Sequence, residues 1–371
     1  MKVQKRSTGL ESMSDSPGRL APMESNRVTA RAGSLNERLR VPDQLDFPGS
    51  HLGMSWALLT GDDFADVVAL DERCRPHDRG SELRRPEVIA PMLGLAPTEH
   101  RYEVLGGRDS HGELRAVGSV ALLAGVDSEL VTYLEAFIDP TWRGRGIGRA
   151  LIDWQDGRAR QLILDEGRDL PVSIESRVVA HLTERRRLLA AAGFSPSRTI
   201  DYLVRTVEGA DTSRGVIEAK LSAADVALIP YDRSLSEDIR TVYNRSQSLS
   251  LGGRLMPSKD FARIGDEIDP TISYVAVTRG EKIVVGFLLA RREERESGLE
   301  SWIEFLAIER GWRNQGIADA LMNRHLTDCH AHGIRVTGTS IDTRFNGASG
   351  SWLSRWDFFP RSSDIVYAIE M

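Results

Sequence analysis

Ile138-Asp139-Pro140-Thr141-Trp142-Arg143-Gly144-Arg145-Gly146-Ile147-Gly148 closes an apolar strand and opens a helix. The same grammar recurs at Ile308-Glu309-Arg310-Gly311-Trp312-Arg313-Asn314-Gln315-Gly316-Ile317-Ala318. A strand that breaks into successive backbone amides just before a helix N-terminus makes an anion site. The amides converge, the helix end adds partial positive charge, and the missing side chains let a pyrophosphate approach closely. Trp142 and Trp312 stand identically before the two arginines, and Trp56 and Val226 lie equally far ahead of them. The chain therefore reads as a tandem repeat of one α/β unit, not as a solenoid.

The 371 residues suit two or three domains, and a 41% hydrophobic content supplies ordinary cores. No apolar run reaches the length of a membrane span, and Lys2, Lys5 and Arg6 are followed by no signal-like apolar stretch. A net charge of −6 argues against general nucleic-acid binding. Lysine occurs only at positions 2, 5, 220, 259 and 282, so arginine abundance reflects composition and makes any single arginine less informative. Cys74 and Cys329, one per copy, fit buried thiols in a reducing cytoplasm and offer neither a disulfide framework nor a metal site.

Residues 1–53, rich in Ser, Pro, Gly and Arg, are expected to form an extension without regular structure. The first domain is placed at 54–207, a linker at 208–224 and the second domain at 225–371. Each copy is expected to run strand, two helices, three antiparallel strands, Gly loop, long helix, strand, helix, strand. The Gly loops follow hairpins rather than opening a βαβ unit, which excludes a dinucleotide-binding reading.

That order resembles the GNAT superfamily of acyl-CoA N-acyltransferases. Its signature is Arg or Gln, two residues, Gly, one residue, then Gly or Ala. Arg143, Gly146 and Gly148 match it, and so do Arg313, Gly316 and Ala318. The resemblance covers roughly 53–371 and implies two tandem GNAT-fold domains, each a mixed, mostly antiparallel sheet flanked by helices. In architecture it is similar to mycothiol synthase, in which two such domains share one chain. It further implies acetyl-CoA as acyl donor, with no metal. The pyrophosphate would lie on the amides of Arg143, Gly144, Arg145, Gly146, Ile147 and Gly148, or of Arg313, Asn314, Gln315, Gly316, Ile317 and Ala318. Pantetheine would pair with the open strand edge at Ala136, Phe137 and Ile138, or at Leu306, Ala307 and Ile308.

Acyl transfer to an amine needs a base, a polarised thioester and a leaving thiolate. Glu304, four residues before Ile308, is expected on the same strand face as Ile308. Glu135, three before Ile138, is expected on the opposite face, unless the bulge that the resemblance implies in the fourth strand alters the register. This spacing favours Glu304 as the base. The family's second motif, an Asn followed by Tyr and Gly-Phe, finds Asn346 in the second copy and Leu182 in the first. The tyrosine position holds Leu189 and Leu353, so neither copy carries the usual acid, and the thiolate is expected to leave unprotonated or to take a proton from water or from a group such as Ser340 or Tyr367. The histidines around the second long helix, His325, His330 and His332, are expected on the surface or at the helix end. Glu184-Arg185-Arg186-Arg187 is expected to be a solvated face, and Trp352 and Trp356 either wall an acceptor cleft or pack a core.

These readings converge on a cytoplasmic N-acetyltransferase, monomeric or homodimeric, acting on a small amine. It needs no nucleic acid or membrane partner, and its second domain is the catalytic one. The alternatives are an acyl-CoA sensor or scaffold without turnover, and a chain with both domains active.

Overall fold

The computed structural model describes residues 34–78, 86–124, 129–207, 221–248, 255–295, 298–342 and 349–371. Twelve strands form one sheet. The first copy supplies β1 (Ser55–Leu58), β2 (Arg101–Arg108), β3 (Leu114–Leu122), β4 (Leu130–Ile138), β5 (Val172–Val179) and β6 (Ser195–Thr206). The second supplies β7 (Val226–Pro230), β8 (Tyr274–Thr278), β9 (Val284–Arg295), β10 (Gly298–Ile308), β11 (Val336–Asp342) and β12 (Phe359–Glu370). The helices described in full are α1 (Leu35–Leu39), α2 (Phe64–Cys74), α3 (Pro86–Met92), α4 (Ile147–Asp165), α5 (Thr183–Ala191), α6 (Ser236–Ser248), α7 (Ser258–Gly265), α8 (Ile317–Ala331) and α9 (Ser349–Arg355).

The strand order is β1-β2-β3-β4-β5-β12-β6-β11-β10-β9-β8-β7. Among the described residues, only β4–β5 and β10–β11 are parallel pairs. The two closing strands are exchanged. β12, the last strand of the second copy, pairs with β5 of the first, and β6 of the first pairs with β11 of the second. The two copies are therefore one continuous sheet rather than two closed units. Tyr367 on β12 packs in the first copy's core, beside Leu189 and Phe194.

Each long helix buries one stripe against its sheet. Leu151, Leu162 and Ile163 of α4 lie in the first core, and Leu321, Met322 and Cys329 of α8 in the second. The opposite sheet face carries α2 and α3 over Phe137 in one copy, and Phe261 of α7 over Phe305 and Ala307 in the other.

The segment 34–53 differs from the expected unstructured extension. A reciprocal capping box ties Ser34 to Glu37 at the start of α1, and Leu35 and Leu39 are buried in the first core. Gly157 on α4 makes room for this strap, since a Cβ there would lie 2.6 Å from Leu45. Residues 1–33 and the linker positions 208–220 lie outside the described residues.

Candidate acyl-CoA site

The two Gly loops have nearly the same backbone. Pro140–Trp142 and Arg310–Trp312 are 3-10 turns that close on Arg143 (φ −67°, ψ 159°) and Arg313 (φ −68°, ψ 157°). Gly146 and Gly316 then cap the long helices with φ of 85° and 80°, a left-handed conformation that favours glycine. Gly144 at φ 78° is matched by Asn314 at φ 64°, asparagine being the side chain that best tolerates this region. In both copies the signature arginine folds back: Arg143 Nε donates to Ile138 O at 3.0 Å, and Arg313 Nε to Ile308 O at 3.2 Å. Each loop thus presents its amides at a helix N-terminus, the arrangement that binds phosphate.

Asp139 anchors the first loop. Burial pushes its carboxyl up, but hydrogen bonds from the Thr141 hydroxyl and amide, Arg115 and Arg73 outweigh this and hold it at about 2. Trp142 packs under the loop, with the Arg145 guanidinium 4.5 Å above its ring. Trp312 packs against the second core in the same way.

The strands leading into the loops differ. The parallel pair β4–β5 ends at Leu134–Ser176, and β10–β11 ends at Ile303–Thr339. Glu135 and Glu304 are therefore each the first residue beyond the point where the strands part. Pairing of β4 with β3 is regular, whereas pairing of β10 with β9 skips Glu304, which is the extra residue of a β-bulge.

The bulge overturns the expectation that Glu304 shares the face of Ile308. Ile303, Leu306 and Ile308 pack against the α8-side core, but Glu304 meets Arg291, which is cross-strand from Trp302 on the other face. Glu135 likewise shares the face of Phe137, opposite Ala136 and Ile138. One inserted residue restores equivalence, so face alone does not separate the two glutamates.

What lies beside the two loops differs, although Glu135 lines the slot in its copy and Glu304 does not line the larger cleft in its own. Beside the second loop lies an open cleft of about 870 Å³, lined by Leu306, Ala307, Ile308, Arg313, Asn314, Gly316, Ile317 and Ala318 together with Trp352 and Arg355. Trp352 and Trp356 both donate their indole N–H to Asp319 Oδ1, at 2.8 and 3.1 Å, so one wall is fixed by hydrogen bonds as well as packing. In the first copy a slot of about 70 Å³ lies along the strand edge, lined by Glu135, Ala136, Ile138, Gly148 and Leu188. There Arg185 donates to Ala136 O at 3.1 Å, and Leu188 leans over Gly148.

Other expectations resolve as follows. Asn346 lies outside the described residues. Leu189 and Leu353 are buried core residues, which agrees with the missing phenol. Strand exchange removes Tyr367 from the second cleft, and its hydroxyl accepts from Arg186 of α5 instead. Ser340 is exposed on β11, opposite Tyr202. The arginine run on α5 is not simply solvated, because Arg185 and Arg186 are spent on backbone carbonyls.

His325 is fully buried rather than superficial, and burial pushes its imidazole down to about 4. Both Cys74 and Cys329 are buried and not joined in a disulfide. Among the described residues no His, Cys, Asp and Glu group could hold a metal ion, and no helix is long and apolar enough to cross a membrane.

Sequence reading missed Asp78, Arg185, Arg291 and Asp319. The first three act through contacts between distant segments. Asp319 lies in the first turn of α8 and could have been found as a carboxylate set beside a phosphate-type loop.

Comparison with known proteins agrees with this geometry. The acetyltransferase (GNAT) family matches residues 238–347. No curated protein matches the chain. Among solved structures, a GCN5-related N-acetyltransferase from Sphaerobacter thermophilus is 17% identical with a TM-score of 0.59, over 85% of this chain and 95% of that one. A tandem GNAT protein from the clavulanic acid biosynthesis pathway is 16% identical with a TM-score of 0.60, over 85% and 98%. N-myristoyltransferase of Saccharomyces cerevisiae, with bound myristoyl-CoA, is 13% identical with a TM-score of 0.57, over 91% and 83%. Two loops of one backbone on one doubled sheet are thus a fold shared with GNAT structures, a tandem one among them, and residues 238–347, which include the second loop, match the acetyltransferase (GNAT) family.

Proposed function

We propose that the chain transfers an acetyl group from acetyl-CoA to a small-molecule amine, with the chemistry in the second copy. The carrying observation is the β-bulge at Glu304. It sets a carboxylate at the parting of β10 and β11, two residues before Leu306, where the open cleft begins. The loop amides from Arg313 to Ala318 would hold the pyrophosphate, and the free edge of Leu306, Ala307 and Ile308 would pair with pantetheine.

The thioester then lies beside the bulge. Glu304, held by Arg291, takes a proton from the acceptor ammonium, directly or through water. The amine attacks the carbonyl carbon, the C–S bond breaks, the new amide nitrogen gives its second proton to solvent, and CoA leaves as a thiolate that solvent protonates. Leucines at both tyrosine positions support that last step.

Glu304→Gln keeps shape and hydrogen bonding but removes the base. Amine-dependent CoA release should fall by about 10²-fold or more, with acetyl-CoA binding unchanged. Turnover within a few-fold of wild type would make Glu304 a plain strand residue.

A further inference from the structure

The two Gly loops share a backbone, yet a large cleft opens along the second, while the slot beside Glu135 and Ala136, on the strand before the first, holds only about 70 Å³. The difference lies in side chains from outside the loop. In the first copy Arg185, on α5, donates to Ala136 O at 3.1 Å. Ala136 O is an edge carbonyl beyond the point where β4 leaves β5, and therefore one that an incoming amide would use.

The same guanidinium lies 3.6 Å from Asp78 Oδ2, and Asp78 also takes two N–H bonds from the signature Arg143, at 2.9 and 3.1 Å. The Asp78 side chain is only 2% exposed. One buried carboxylate thus fastens both the loop arginine and the arginine on the strand edge. Leu188, one helical turn on from Arg185, fills the space above Gly148, where a Cβ would lie 2.9 Å from Leu188 Cδ2. Aligned through the Gly loops and through Gly193 and Asp357, the positions of Asp78 and Arg185 carry Ser248 and Ser349 in the second copy. Neither residue type can supply such a clamp.

We propose that Arg185 is an intramolecular plug, fastened by Asp78, that keeps the first copy's slot closed to acyl-CoA. This rests on the reading that the loops are acyl-CoA sites. A guanidinium N–H takes the place of the pantetheine amide N–H on the strand edge, and its charge is balanced within the protein. The chain accordingly binds one acetyl-CoA, in the second copy, and Glu135 meets no thioester despite its position.

The test isolates the first copy. Gly316→Asp puts a carboxylate in the second loop and empties it. Binding of acetyl-CoA is then measured by calorimetry for Gly316→Asp alone, and combined with Arg185→Ala or Arg185→Gln. Circular dichroism establishes that each is folded. The plug predicts no binding by Gly316→Asp, and about one equivalent gained in at least one folded double variant. Binding by Gly316→Asp alone overturns the plug, as does absence of binding in both folded double variants. The wild-type chain, titrated alongside, tests the second-copy site separately: one equivalent supports it, and none removes it whatever the double variants do.

Discussion

Arg198 on β6 reaches over the intervening β12 to Glu175 on β5, placing one N–H on each carboxylate oxygen at 2.8 Å. Its Nε donates to Asp342 of β11, also at 2.8 Å. Three strands from both copies are thereby tied by one guanidinium at the seam where the closing strands exchange. The side chains of Arg198 and Glu175 are 4% and 2% exposed, and Ala368, opposite Glu175 on β12, is small enough for the bridge to pass.

Arg198→Leu leaves Glu175 buried without its main counter-charge, so stability should fall by about 3–5 kcal/mol. The double variant Arg198→Leu/Glu175→Leu should lose clearly less, because no buried carboxylate is stranded. Urea unfolding of both variants decides the matter. A single variant as stable as the double would mean that the bridge does not hold the seam.

The parts of this molecule legible in its sequence were those set by neighbours in the chain. The loops at Arg143 and Arg313 are contiguous, and their strand, turn and helix signals are local. The exchange of β6 and β12 was not legible, since a strand's apolar pattern is the same whichever β-partner it takes. A bulge in this strand is implied by the resemblance, but its position at Glu304 was not legible: one unpaired residue has no composition of its own, yet it reverses a face assignment made by counting from Ile308. Arg185 sits in an arginine run whose local pattern is a solvated helix face, and only its contact with Ala136 from a distant strand shows otherwise. For His325 a signal did exist. It is spaced by four from both Leu321 and Cys329, on the buried stripe of α8.

His325 makes the second core acid-sensitive. Its ring is bonded to Ile272 O at 2.8 Å and to Thr337 Oγ1 at 3.0 Å, and burial pushes its pKa from 6.5 to about 4. A folded-state value below the unfolded one means that the stabilisation is complete above about pH 6.5 and is lost as pH falls toward 4. The first copy places Gln155 at the corresponding position of α4, also buried, donating to Ser119 O and Glu135 O. His325→Gln should therefore flatten the drop in melting temperature between pH 7 and pH 5, whatever it costs at pH 7. An unchanged slope would assign the acid response to other groups.

Acetyl-CoA should raise the melting temperature of the wild-type chain. A ligand that binds only the folded state at 100 times its Kd contributes about 2.7 kcal/mol. Glu304→Gln should keep that shift, since the loop amides and the strand edge are intact. Absence of a shift at millimolar acetyl-CoA would count against the second loop as a CoA site.

The division of labour is tested by matched substitutions in the two loops. Gly146 and Gly316 occupy the same left-handed position at the head of a long helix, so aspartate at either introduces equal backbone strain and equal negative charge. The second loop lines the large cleft, and of β4 and β10 it is β10 that carries the bulge. Gly316→Asp should abolish amine-dependent CoA release, while Gly146→Asp should retain substantial turnover, lowered only as far as the first copy supports the shared sheet. Because β12 closes the first copy and β6 the second, some loss in Gly146→Asp is expected and should appear as lowered stability by circular dichroism rather than as a raised KM for acetyl-CoA. Loss of turnover in a folded Gly146→Asp, with Gly316→Asp still active, would move the chemistry to the first copy and make Glu135 the base.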